Sequence, residues 1–106
     1  PAGLQTLTFG SKFNQAFHGV ALPHSLQTLT FGAEFNQSLE GLSLPIGLQT
    51  LIFGCNFNQT LDGVLLPGGL QTLTFGRDFK QRLDDVNMPP LQQLGLPPFS
   101  LSVLEV

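Results

Sequence analysis

Apolar residues recur at fixed places in a 22-residue period along this chain, and the polar residues between them recur as regularly. The string LQTLTFG stands at Leu4–Gly10, Leu26–Gly32 and Leu70–Gly76, and as LQTLIFG at Leu48–Gly54. Its starts at residues 4, 26, 48 and 70 keep a constant step of 22, as do Pro1, Pro23, Pro45, Pro67 and Pro89. Such regularity is the signature of a repeat architecture. In the first unit the apolar columns are Leu4, Leu7, Phe9, Phe13, Phe17, Val20 and Leu22. The second repeats them as Leu26, Leu29, Phe31, Phe35, Leu39, Leu42 and Leu44. Leu7-Thr8-Phe9 and Val20-Ala21-Leu22 alternate with period two, which is strand spacing. No apolar pattern persists at 3.6-residue spacing long enough for a helix.

Each unit reads as a strand, a glycine turn, an FNQ bend, a second short strand and a proline corner. Gly10 and Gly19 are expected to turn the chain by adopting positive φ, and Pro23 to end strand pairing. One 22-residue unit buries too few side chains to offset the entropy of ordering its backbone. Stability must come from neighbouring coils, through ladders and stacked Phe and Leu columns. The pattern therefore predicts a β-rich solenoid with parallel sheets and little or no helix.

Four units occupy residues 1–89. Residues 90–106 are expected to form a degenerate fifth half-repeat and a C-terminal segment, because the spacing after Pro89 is one residue short and PPFSLSVLEV abandons the pattern. The chain enters its first strand with no polar cap over Leu4, Leu7 and Phe9. That arrangement reads as a fragment able to self-associate end to end.

Composition narrows the function classes. Ten Phe with no Trp or Tyr point to one aromatic type filling the same interior slot repeatedly. Only four Lys and Arg are present against seven Asp and Glu, too few to line a nucleic-acid face or a polybasic membrane patch. No apolar run approaches the ~20 residues that span a bilayer. The single Cys55 allows no disulfide within the chain and leans toward an intracellular setting.

The unit LP-x-x-LQTLTFG-x-x-FNQ-x-L resembles the FNIP repeat, a 22-residue member of the leucine-rich-repeat group. It stands at Leu22–Gln37, Leu44–Gln59 and Leu66–Gln81, with Phe13-Asn14-Gln15 completing the first unit. The family usually has Pro after FNQ, where this chain has Ala16, Ser38, Thr60 and Arg82. LEGLSLP at Leu39–Pro45 is similar to a segment of the BspA-type leucine-rich repeats. The resemblance implies a right-handed, leucine-rich-repeat-like stack with parallel strands, a role in protein–protein contacts and no catalytic motif.

Candidate binding residues follow from the outward positions. Thr6, Thr28, Thr50 and Thr72 form one column; Thr8, Thr30 and Thr74 form another, interrupted by Ile52. These columns suit a partner-binding sheet face. The alternative reading is an ice-binding surface built on stacked TxT pairs. Threonine is also a good strand residue on a half-solvated face, without further function. Six of the eleven charged residues lie between Arg77 and Asp85, and Arg77, Asp78, Lys80 and Arg82 are the candidates for a specific polar contact.

Asn14, Asn36 and Asn58, with Gln15, Gln37, Gln59 and Gln81, are expected to close the FNQ bend on unpaired backbone groups. His18 and His24 lack acidic or Cys partners at ligand spacing. Cys55 shares its column with Ser11, Ala33 and Arg77, which disfavours a nucleophile. Glu40, Asp62 and Asp84 form a carboxylate column better read as a solvated edge than a Ca²⁺ site. The expectation is a non-catalytic scaffold without cofactor or metal, whose partner is another protein rather than nucleic acid or membrane.

Overall fold

The computed structural model describes residues 3–16, 21–40, 42–61, 64–81, 83 and 89–96. Five three-residue strands, β1 (Thr6–Thr8), β2 (Thr28–Thr30), β3 (Thr50–Ile52), β4 (Thr72–Thr74) and β5 (Gln93–Gly95), form one parallel sheet in the order β1-β2-β3-β4-β5. Equivalent residues pair directly: Leu7 with Leu29, Leu29 with Leu51 and Leu51 with Leu73. The step shortens at the last pair, where Leu73 lies beside Leu94. The chain is thus a parallel β-solenoid of 22-residue coils. No helix occurs among the described residues, and none is long and apolar enough to cross a membrane.

The strands are short, but hydrogen bonding between coils runs past both ends of each. The Gln5 carbonyl accepts from the N–H groups of Gln27 and Thr28, at 2.8 and 3.0 Å, and Gln27, Gln49 and Gln71 repeat the arrangement. Beyond the strand, Phe9 N–H donates to Thr30 C=O at 2.9 Å. Three reverse turns then bend a coil, as Phe35 N–H closes on Gly32 C=O at 3.4 Å, Leu42 N–H on Leu39 C=O at 2.9 Å and Leu48 N–H on Pro45 C=O at 3.1 Å.

Inside, the phenylalanines make two parallel files. Phe9, Phe31, Phe53 and Phe75 stack with centroids 5.3, 5.4 and 5.4 Å apart. Phe13, Phe35, Phe57 and Phe79 stack at 6.0, 6.0 and 6.2 Å. Within a coil the two files touch, as between Phe53 and Phe57 at 4.0 Å. Leu26, Leu48 and Leu70, with Leu29, Leu51 and Leu73, each at most 1% exposed, complete the core. The first coil is different: Leu4, Leu7, Phe9 and Phe13 are only partly buried.

Two sequence expectations need correction. Gly3 is the only glycine with positive φ among the described residues, so Gly10 and its equivalents do not serve by turning the chain left-handed. They serve by close approach. A Cβ on Gly32, Gly54 or Gly76 would lie 2.3 Å from the carbonyl oxygen of the equivalent glycine one coil earlier. Gly19 lies outside the described residues. The second strand is also reduced, since it survives among the described residues only as a parallel bridge between Ala21 and Ser43. Its inward residues still pack, with Leu42 and Val64 each 6% exposed. Phe17 and Val20 of the first coil lie outside the described residues.

Candidate interaction face

The strand pleat turns Leu29, Leu51 and Leu73 into the core and places the flanking threonines outward. Thr6 and Thr8 are exposed, and Thr28, Thr30, Thr50, Ile52, Thr72 and Thr74 are half-buried by their neighbours in the sheet. The parallel register sets Thr6, Thr28, Thr50 and Thr72 in one column. Thr8 and Thr30 precede Ile52 and Thr74 in the other. Ile52 therefore places a larger apolar side chain at the middle of an otherwise hydroxylated surface. Exposed Gln5, Gln27, Gln49 and Gln71 run alongside.

The lattice stops at β4. Gln93 takes the place beside Thr72, and Gly95 the place beside Thr74. The missing side chain at Gly95 leaves room for Thr74, whose Cγ2 lies 3.0 Å from where a Cβ would stand. Two columns of four or fewer residues, one broken by Ile52, give no support to an ice-binding surface.

Of the charged candidates, exposed Arg77 and half-buried Asp78 form a surface ion pair, Nε to Oδ1 3.5 Å, at the turn after β4. A surface pair of this kind contributes little stability. Lys80 is exposed two residues on, while Arg82, Asp62, Asp84 and His18 lie outside the described residues. Cys55 is a free, exposed thiol. Glu40 and His24 are exposed as well. Among the described residues no three His, Cys, Asp or Glu side chains cluster as metal ligands.

The FNQ amides join coils rather than closing a bend within one. Asn36 N–H donates to Asn14 Oδ1 at 2.8 Å, Asn58 N–H to Asn36 Oδ1 at 2.9 Å, and Lys80 N–H to Asn58 Oδ1 at 2.8 Å. The side-chain amide of each following Gln reaches the same oxygen, as Gln59 Nε2 does on Asn36 at 3.0 Å. One asparagine oxygen therefore accepts both a backbone and a side-chain donor from the next coil. The residues are structural, and their direction along the stack is always the same.

At the proline corner, a shallow depression of about 220 Å³ is lined by Ala21, Leu22, His24, Ser43, Leu44, Pro45 and Ile46. Ile46 stands 87% exposed on its rim, and Leu65 is 81% exposed one coil further. Sequence reasoning did not single these out. The available signal was an apolar residue in columns that elsewhere hold His24 and Gly68, or Ala21 and Ser43.

Comparison with known proteins agrees with this geometry. The FNIP Repeat family matches residues 1–34, 13–56 and 57–94. The crystal structure of CroV588, described as a novel circular LRR protein, superposes with a TM-score of 0.77 at 42% identity. The match covers 85% of this chain but 13% of that protein, so the chain spans a small part of its length. No curated protein matches the sequence. With a matching unit recurring in phase along a stack of leucine- and phenylalanine-filled coils, the chain belongs to the FNIP repeat family.

Proposed function

We propose that this chain is a non-catalytic repeat scaffold whose five-stranded sheet face binds another protein. The observation that carries this reading is the sheet itself. It is the one β-sheet among the described residues, and its strands hold their outward side chains in fixed register from β1 to β4. Hydroxyls and methyls alternate there around Ile52, without charge. A surface of that kind suits a partner that contributes apolar contact with a few hydrogen bonds. Solenoids commonly bind through such extended faces.

The test is to identify a protein captured by the immobilised chain and to measure its affinity for face variants. Thr28→Arg and Thr50→Arg, made singly, are expected to weaken binding at least about tenfold while leaving the melting temperature nearly unchanged. Ile46→Ser, at the proline corner, is expected to leave binding intact. Loss of binding in Ile46→Ser, with both arginine variants binding normally, would contradict the assignment and move the site to that corner.

A further inference from the structure

We propose that Asn36 and Asn58 are N-glycosylation sites, each carrying an oligosaccharide on Nδ2 while Oδ1 stays in the ladder between coils. Asn-x-Ser/Thr, with x other than Pro, is the acceptor sequence for this modification. The chain has it twice, as Asn36-Gln37-Ser38 and Asn58-Gln59-Thr60. The other asparagines, Asn14, Asn56 and Asn87, have Ala16, Asn58 and Pro89 two residues on and do not qualify. Both acceptor sequences arise where FNQ is followed by a hydroxyl residue instead of the family's usual Pro, so they belong to this chain rather than to the repeat as such.

The geometry singles out the atom that is free to react. Asn36 Oδ1 accepts from Asn58 N–H at 2.9 Å and from Gln59 Nε2 at 3.0 Å. Asn58 Oδ1 accepts from Lys80 N–H at 2.8 Å and from Gln81 Nε2 at 3.1 Å. Two donors on one atom fix it as the oxygen, which leaves Nδ2 as the other atom of each amide. Neither Nδ2 donates a hydrogen bond among the described residues, and no side-chain nitrogen without a partner is buried there, so both reach solvent. Ser38 and Thr60 are exposed beside them. A glycosylated asparagine is still an amide, substituted at nitrogen like the peptide unit, and its oxygen still accepts. A peptide oxygen takes two donors elsewhere in this stack, where Gln5 C=O accepts from both Gln27 and Thr28 N–H.

The co-reactant is a lipid diphosphate-linked oligosaccharide. Nδ2 bonds to C1 of its first sugar and the C1–O bond to the diphosphate breaks. The lipid diphosphate leaves with that electron pair, and one Nδ2 proton is lost to solvent. Transfer takes place on the extended chain; the coil then closes with the glycan outside and Ser38 Oγ accepting from Glu40 N–H at 3.1 Å. The assignment places the chain in a secretory route, against the lean that a single Cys55 gives, although one cysteine cannot pair within the chain in either setting. The glycans stand beyond the turns at Gly32 and Gly54, apart from the threonine columns, so this site is distinct from the sheet face proposed to bind a partner.

The test is mass spectrometry of the protein from the cells that naturally make it, before and after enzymatic removal of N-glycans, which converts each used asparagine to aspartate. Conversion is expected at Asn36 and Asn58 and not at Asn14. A second arm secretes the full chain from cultured eukaryotic cells. Ser38→Ala and Thr60→Ala are each expected to remove one glycan, and Ser38→Thr to keep both. The glycosylated chain is expected to melt within about 2 °C of the unmodified chain made in bacteria. Its Asn58 and Lys80 amides should be equally protected from hydrogen exchange. Unmodified Asn36 and Asn58 in the native protein would overturn the proposal. So would a glycosylated chain that melts about 5 °C or more lower, or exchanges those amides at least about tenfold faster, because the oxygen would then have left the ladder.

Discussion

Phe31 and Phe53 lie face over face, their centroids 5.4 Å apart and their planes within 4° of parallel, although 22 residues separate them in the chain. That spacing reflects the sheet, in which adjacent strands lie ~4.8 Å apart. The rings cannot stack this way unless the backbone repeats coil by coil, and the coils cannot hold without the rings between them. Packing and hydrogen bonding share one repeat, and both operate between coils.

Position within the file should therefore set the cost of losing a ring. Phe53 is 2% exposed with a ring above and below, whereas Phe9 is partly buried and stacks on Phe31 alone along its file. Phe53→Ala is expected to cost about 3–5 kcal/mol, in the usual range for a buried aromatic. Phe9→Ala should cost clearly less. Urea denaturation of the two variants measures the difference, and equal costs would mean that burial between coils is not what the rings contribute.

The asparagine ladder gives a second expectation. Asn36→Ala strands the Asn58 N–H and removes one acceptor from the Gln59 side chain. A lost acceptor for a partly buried donor costs about 1–3 kcal/mol. Asn36→Asp keeps an accepting oxygen in place and should be milder than alanine. Thermal unfolding of both variants checks the order; a less stable aspartate variant would show that the oxygen is not the group that matters.

Glycine supplies the sharpest contrast. Gly54→Ala drives a methyl into the Gly32 carbonyl, a backbone atom that cannot swing aside. Gly68→Ala sits on an open corner with nothing within 4 Å. The first change is expected to cost more than about 2 kcal/mol by forced separation of coils. The second should fall within about 0.5 kcal/mol of the parent. Chemical denaturation curves for the pair decide whether close approach is the reason for the column.

Much of this was legible because a repeat shows its own environment several times over. Leu7, Leu29, Leu51 and Leu73 could be placed inward and Thr6, Thr28, Thr50 and Thr72 outward from alternation alone, and the structure sets them there in one register. The one-residue contraction after Pro89 was visible as spacing and reappears in the pairing of Leu73 with Leu94. What escaped was the reason for particular polar or small residues. Gly32 looks like a turn residue until the neighbouring carbonyl is seen, since single-coil reasoning finds conformational causes and misses contacts 22 residues away. Asn36 likewise looks like a residue that closes its own bend, but its oxygen serves the next coil. The exposed Ile46 and Leu65 lie in columns whose residues vary from coil to coil, so their apolar side chains were a weaker signal than the invariant columns.

Native-state hydrogen exchange of Phe57→Ala probes the interdependence of the coils most directly. Phe57 belongs to the third coil and stacks on Phe35 of the second and Phe79 of the fourth. If coils hold one another up, amides of Gln27 and Phe31 on one side and Gln71 and Asp78 on the other should exchange faster together with those of Gln49 and Phe53. Acceleration confined to the third coil, with its neighbours exchanging as in the parent, would contradict the account.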